Sequence, residues 1–253
     1  LDGKRSHPGN FVIIMTEMTF QRFLDRFNAY SGLQHQKDGV RQLYDAIQKG
    51  APEQLRENAP WAKTFSPVSV ARPANPLPVA YFEQGDNGPE GWRECQPTAV
   101  SMGLNHLRVR DPFGPGVIDD NSFVKLVKRY GDVTSQSAVS KALDFLKVKY
   151  RFTTNCTVEQ AKQEIDNGRP LAVGMLHRGP VTRPTGGGHY ITIIGYNERG
   201  WIVHDPYGEQ DLVNGGFVKV GGLHGMRLQY SYRNTNPRWT VEGPNSGWAW
   251  IFN

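Results

Sequence analysis

Residues 189–206 read HYITIIGYNERGWIVHDP, and this stretch decides how the chain is built. Tyr190–Tyr196 and Trp201–His204 are short runs rich in Ile, Val and aromatics, and both read as strands. Asn197-Glu-Arg-Gly200 between them supplies a hairpin turn, so the two runs are expected to pair antiparallel. Pro206 stops the second strand at Asp205. Upstream, Leu171–Leu176 reads as a third strand.

Before these strands the spacing changes to that of helices. Residues 95–107, 121–131, 137–147 and 157–167 each carry an apolar face, as in Phe123, Leu126, Val127, Tyr130 and Val139, Ala142, Leu143, Leu146. The last opens on Thr157-Val-Glu-Gln160, a capping box, and closes at Gly168 with Pro170 beyond. Helices first and strands afterwards predict an α+β fold, with an antiparallel sheet packed on a helical layer. The aromatic tail, Tyr230–Arg233, Arg238-Trp239 and Trp248–Trp250, reads as strand and loop completing that sheet.

Nearer the start, Phe20, Phe23, Leu24, Phe27 and then Val40, Leu43, Tyr44, Ile47 predict a helical hairpin over 15–60. Pro60, Pro67, Pro73, Pro76 and Pro78 predict an extended linker over 61–78, with the main domain at 79–253. Residues 1–14 have no signal-peptide core and read as an appended leader, with Met15 or Met18 as the native start.

The 253 residues hold 38% hydrophobic and 11% aromatic side chains, with 28 Gly and 17 Pro scattered without period, which excludes collagen, coiled coil and disorder. No apolar run reaches the roughly 20 residues that a membrane-crossing helix needs. Against 24 Asp+Glu stand 29 Lys+Arg, giving +5, which suits an anionic partner. The charges are interspersed without a basic block, so nucleic acid is not expected. Two cysteines make no disulfide framework; one bridge or one reactive thiol remain as alternatives. His177, His204 and His224 lack any His-x₃-His or paired-Cys spacing, and no metal or cofactor is expected.

A reactive thiol needs help to lose its proton, and a helix start provides part of it. Cys95-Gln-Pro97 opens a helix, with proline in the first turn. His189 follows Gly186–Gly188 at a strand start, where glycines leave space for a substrate. Asp205, folded back by the hairpin, is placed to orient that imidazole. The Cys95 N–H and the Gln84 amide are candidate donors to an oxyanion. Read singly, each residue has a structural explanation, Cys95 as a small buried hydrophobe and Asp205 as a turn residue; the ordered set carries the reading. Cys156, just before the capping box, is expected to be a half-buried packing residue.

Tyr81-Phe-Glu-Gln84, Cys95-Gln-Pro-Thr98, Gly188-His-Tyr190 running into Ile-Gly195-Tyr196, and Val203-His-Asp205-Pro206 resemble the papain-fold cysteine peptidases related to those that process double-glycine bacteriocin leaders. The resemblance spans roughly residues 78 to 208 and preserves the order Gln, Cys, His, Asp. It implies a papain-like fold, catalytic Cys95, His189 and Asp205 with Gln84 in the oxyanion hole, and no cofactor. Two departures stand out: Gln96 replaces the glycine usual after the cysteine, and Gly85–Glu94 is an insertion.

His35-Gln36, Trp61, Tyr230-Ser231, Arg238-Trp239 and Glu242-Gly243 are also similar to segments of phage and cyanobacterial wall-lytic proteins. That similarity implies an endolysin-like protein, made in a host cytoplasm, acting on the peptides of peptidoglycan; a monomer is expected. A peptidase processing proteins or leader peptides, and a non-catalytic wall-binding protein, are the alternative expectations.

Overall fold

The structure, a computed structural model, describes residues 73–252. The leader, the helical hairpin and the linker up to residue 72 lie outside the described residues. Two 3₁₀ turns, Gln84–Asp86 and Gly91–Arg93, precede helices α1 (Cys95–His106), α2 (Asp120–Lys128) and α3 (Gln136–Phe145). Strand β1 (Tyr150–Cys156) leads into helix α4 (Val158–Asp166), followed by β2 (Leu171–Met175), β3 (His189–Asn197), β4 (Gly200–His204), β5 (Gly208–Gln210), β6 (Phe217–Val220) and β7 (Leu228–Ser231). Helix α5 (Tyr232–Trp239) and strand β8 (Gly247–Phe252) complete the described elements.

Local signals start the helices. The Asp119 carboxylate accepts from Ser122 N–H at 2.8 Å ahead of α2, and Lys125 and Lys128 lie in its last turn, where the helix dipole favours cations. Both arms of the capping box are made at α4, Thr157 Oγ1 from Gln160 N–H and Gln160 Oε1 from Thr157 N–H, each at 3.0 Å. Helix α1 differs: it is buried from Gln96 to Leu104 and has no side-chain cap. Its first N–H groups are therefore left to other acceptors.

Six strands form one antiparallel sheet in the order β1-β8-β2-β3-β4-β7, and β5 and β6 form a separate ribbon. Alternation along the central strands gives the sheet two apolar faces. Ala172, Tyr190, Trp250 and Phe252 join Val100, Leu104, Phe123 and Leu143 in one core. Leu171, Val173, Ile191, Ile193, Ala249 and Ile251 join Ile165, Trp201 and Trp239 in the other. The expected α+β architecture is present, with helices on both faces.

Two elements depart from the reading by pattern. Tyr232–Trp239 is a helix rather than strand and loop, despite Pro237, because packing rather than propensity holds it. Trp239 is buried, and the enclosed Arg238 guanidinium donates to the carbonyls of Leu176, Arg178, Gly179 and Leu212 at 2.7–3.2 Å. Strand β1 carries no clean alternation and pairs with β8, an edge role in which polar side chains face out.

Candidate active site

Helix α1 begins at Cys95, and the helix lies against β3, where Thr192 Oγ1 donates to the Ala99 carbonyl at 2.9 Å. Close approach is needed here: a Cβ on Gly103 would sit 2.7 Å from the Phe252 ring. The helix therefore delivers the Cys95 thiol to the sheet end at which β3 starts with His189. The thiol neighbours the His189 imidazole and helps to raise its proton affinity.

On the other side of the ring, His189 Nε2 lies 2.7 Å from Asp205 Oδ1, so Nδ1 is the nitrogen left for the sulfur. Asp205 follows β4 and is fully buried. Its carboxylate accepts three further hydrogen bonds: Tyr207 N–H to Oδ1 at 3.1 Å, Gln210 Nε2 to Oδ2 at 2.6 Å and Tyr230 Oη to Oδ2 at 3.1 Å. Four donors on a group that is acceptor-only when ionised hold it in one orientation. Its backbone is held by Gly225, whose carbonyl accepts from Asp205 N–H at 2.9 Å, and a Cβ on Gly225 would lie 1.8 Å from the Asp205 carbonyl oxygen. Burial lowers the His189 pKa, but the charge and hydrogen bond of Asp205, with Cys95, outweigh it and push the imidazole up to about 10.

Aromatic and imidazole rings shield this pair. Phe217 stands edge-on to His189 at 5.3 Å between centroids, and His177 lies 5.9 Å away. Burial and the neighbouring His189 hold His177 down at about 4, which keeps a second positive charge away from the site. Phe217 and Tyr207 in turn pack at 4.8 Å.

Gln84 is buried in the first 3₁₀ turn, and its Nε2 donates to the Gly91 carbonyl at 2.8 Å. Its own N–H donates to the Pro206 carbonyl at 2.9 Å, so this turn is tied to the chain after Asp205. The insertion Gly85–Glu94 thus folds back on Gln84 and hands the chain to α1. A second amide proton of Gln84 remains beyond the one given to Gly91. Gln96, the other departure, is buried in the cleft wall; its amide nitrogen donates to the Thr134 carbonyl at 3.3 Å and its oxygen accepts from Trp250 Nε1 at 3.1 Å, an orientation assigned from these partners.

A cavity of about 390 Å³ opens beside the thiol, bounded among others by Cys95, Gln96, Gly174, Gly186–Gly188 and Trp248. The glycine run forms a wall without side chains, so a peptide backbone can come close to the sulfur.

The remaining titratable residues have structural places. Both cysteines are free. Cys156 ends β1 fully buried rather than half-buried, and burial pushes its thiol up to about 11, which makes it inert. His204 takes Arg227 N–H on Nδ1 at 3.0 Å and faces the Val79 carbonyl with Nε2 at 3.1 Å; burial holds it down at about 4. It is a strut between the chain before Tyr81 and the sheet. Among the described residues no group of three or more His, Cys, Asp or Glu is placed to hold a metal ion.

Of the four residues singled out by sequence reasoning, Cys95, His189 and Asp205 come together, and the Gln84 amide is bound to the Gly91 carbonyl rather than to any of these three. The same reasoning missed Gln210, Tyr230 as a partner of Asp205, and Phe217. Tyr230 was visible only as part of an aromatic tail, and Gln210 carried no signal.

The model of the Peptidase_C39 like family matches residues 76–216, more than half of the chain. The chain belongs to that family. At family level this C39-like protein is accordingly a cysteine peptidase. Among solved structures it is similar to a candidate C39-like peptidase from Bacillus anthracis, at 15% identity over 70% of this chain and 94% of that chain, with a TM-score of 0.46. Among curated proteins none matches.

Proposed function

We propose that this C39-like protein hydrolyses peptide bonds of bacterial peptidoglycan through Cys95, His189 and Asp205. The observation that carries the reaction is the buried 2.7 Å contact of His189 Nε2 with Asp205, on a ring whose other side meets the Cys95 thiol at the cleft. His189 accepts the thiol proton, and the sulfur attacks the substrate carbonyl carbon. The Cys95 N–H and the second amide proton of Gln84 stabilise the oxyanion. Its raised basicity lets His189 keep the proton until it passes to the leaving amine. Water, deprotonated by the same imidazole, then splits the thioester, releasing the carboxylate and the thiol.

Support for a wall substrate comes from the excess of five positive charges, which draws the enzyme to an anionic polymer, and from the similarity of the tail segments to wall-lytic proteins. The test is mass spectrometry of purified peptidoglycan after digestion by wild type and by Cys95→Ala. Wild type should release new amino termini and Cys95→Ala none, with its melting temperature within a few degrees of wild type. Turnover by Cys95→Ala would overturn the mechanism. An intact wall alongside cleavage of a protein or leader peptide would overturn the substrate.

A further inference from the structure

Three charged side chains border the cleft beside Cys95: Arg93, Arg238 and Glu242. The two cations are already engaged. Arg93 Nη2 meets both carboxylate oxygens of Asp132, at 3.0 and 2.8 Å, and its Nη1 lies 3.7 Å from Glu90. Arg238 is fully buried and donates to four backbone carbonyls. Glu242 is different. Its carboxylate has no hydrogen bond or ion pair with any described residue, although its backbone is firmly held.

That backbone belongs to a tight turn between α5 and β8. Glu242 N–H donates to Ser246 Oγ at 3.0 Å, Ser246 Oγ donates to the Gly243 carbonyl at 2.8 Å, and Gly243 N–H donates to the Thr240 carbonyl at 3.0 Å. Val241 and Trp248 border the same cavity and remain 48% and 46% exposed, so an apolar strip lies beside the unpaired carboxylate. Gly174 and Gly186–Gly188, which line the same cavity, add no charge.

Resting on the peptidase reading above, we propose that Glu242 sets specificity, selecting a substrate residue with an aliphatic stem and a terminal ammonium, a lysine-like diamino acid, next to the bond that is cut. The stem covers Val241 and the Trp248 ring, and the ammonium reaches Glu242. Within a cleft otherwise without a free charge, one carboxylate decides which sign of side chain is accepted.

Two measurements test this. The first compares kcat/KM for peptides with lysine or N-acetyl-lysine at that position. Wild type should favour the free amine by roughly three- to fivefold, the worth of a partly solvated ion pair. Glu242→Gln should bring the ratio near one, and Glu242→Lys should invert it. The second follows modification of the Cys95 thiol, by mass spectrometry, with cationic 2-aminoethyl and anionic 2-sulfonatoethyl methanethiosulfonate. The cation-to-anion rate ratio should fall in Glu242→Gln. An equal ratio in wild type and Glu242→Gln, in either measurement, overturns the assignment. If no peptide is cleaved at all, the peptidase reading fails, and the thiol rates still decide the charge preference of the cleft.

Discussion

At the scale of single residues, the site is a carboxylate held by four donors with an imidazole seated on it. Replacing Asp205 by Ala removes the charge that raises His189 and takes from the buried Gln210 Nε2 and Tyr230 Oη their short acceptor, leaving them only Met175 Sδ at 3.9 Å and the Gly208 carbonyl at 3.5 Å. Turnover should drop by roughly 10³-fold or more, and stability by about 2–4 kcal/mol, measured by single-turnover kinetics and urea unfolding. Activity within tenfold of wild type would remove Asp205 from the proposed mechanism. Cys95, His189 and Asp205 were legible because each sits at punctuation: a helix start before proline, a strand start after glycines, a strand end before proline. Gln210 and Tyr230 were not, because their partnership with Asp205 exists only after β5 and β7 fold across it. The Gln84 commitment to Gly91 was equally hidden, since the insertion between them has no periodic pattern to place it.

Among the elements, α1 matters most because it must lie close enough to β3 and β8 for its first residue to meet His189. Gly103 sets that distance against Phe252. Gly103→Val should push the helix off the sheet, costing roughly 1–3 kcal/mol by thermal or urea unfolding and slowing turnover through displacement of Cys95. Unchanged stability and rate would show that the ring gives way instead. Helices with caps and apolar stripes, α2 to α4, were legible from sequence because local signals and packing agree. Helix α5 was not: Asn, Pro and Arg dominate it, and its helicity follows from the carbonyls gathered around Arg238 and from burial of Trp239. Strand β1 escaped notice because Tyr150–Cys156 lies at the sheet edge, where inward and outward positions are weakly contrasted.

For the molecule as a whole, three imidazoles set opposing responses to pH. His189 has a folded pKa raised from 6.5 to about 10, so its contribution is complete below 6.5 and is lost as pH rises through 10. Wild type should therefore lose more stability between pH 6.5 and 10 than His189→Gln, read as urea midpoints across that range; parallel curves would show that the imidazole gains no proton affinity on folding. His177 and His204 behave in the reverse sense. Held near 4 by burial, they contribute stability above 6.5 that disappears as pH falls towards 4. Asp120, raised to about 6 by burial and by Asp86, partly offsets them, since it favours folding as it takes up a proton. His204→Gln should flatten the decline between pH 6.5 and 4.

The seat of β8 between β1 and β2 has a consequence for synthesis. Cys156 is paired with Gly247, about ninety residues later in the chain, so β1 has no neighbour while the intervening length is made. Any polypeptide halted before Gly247 keeps a gap in the sheet, with β1 unpaired on one side of it and an open edge of β2 on the other. A nascent enzyme of this design stays unzipped, and prone to stray pairing, until its closing strand leaves the ribosome.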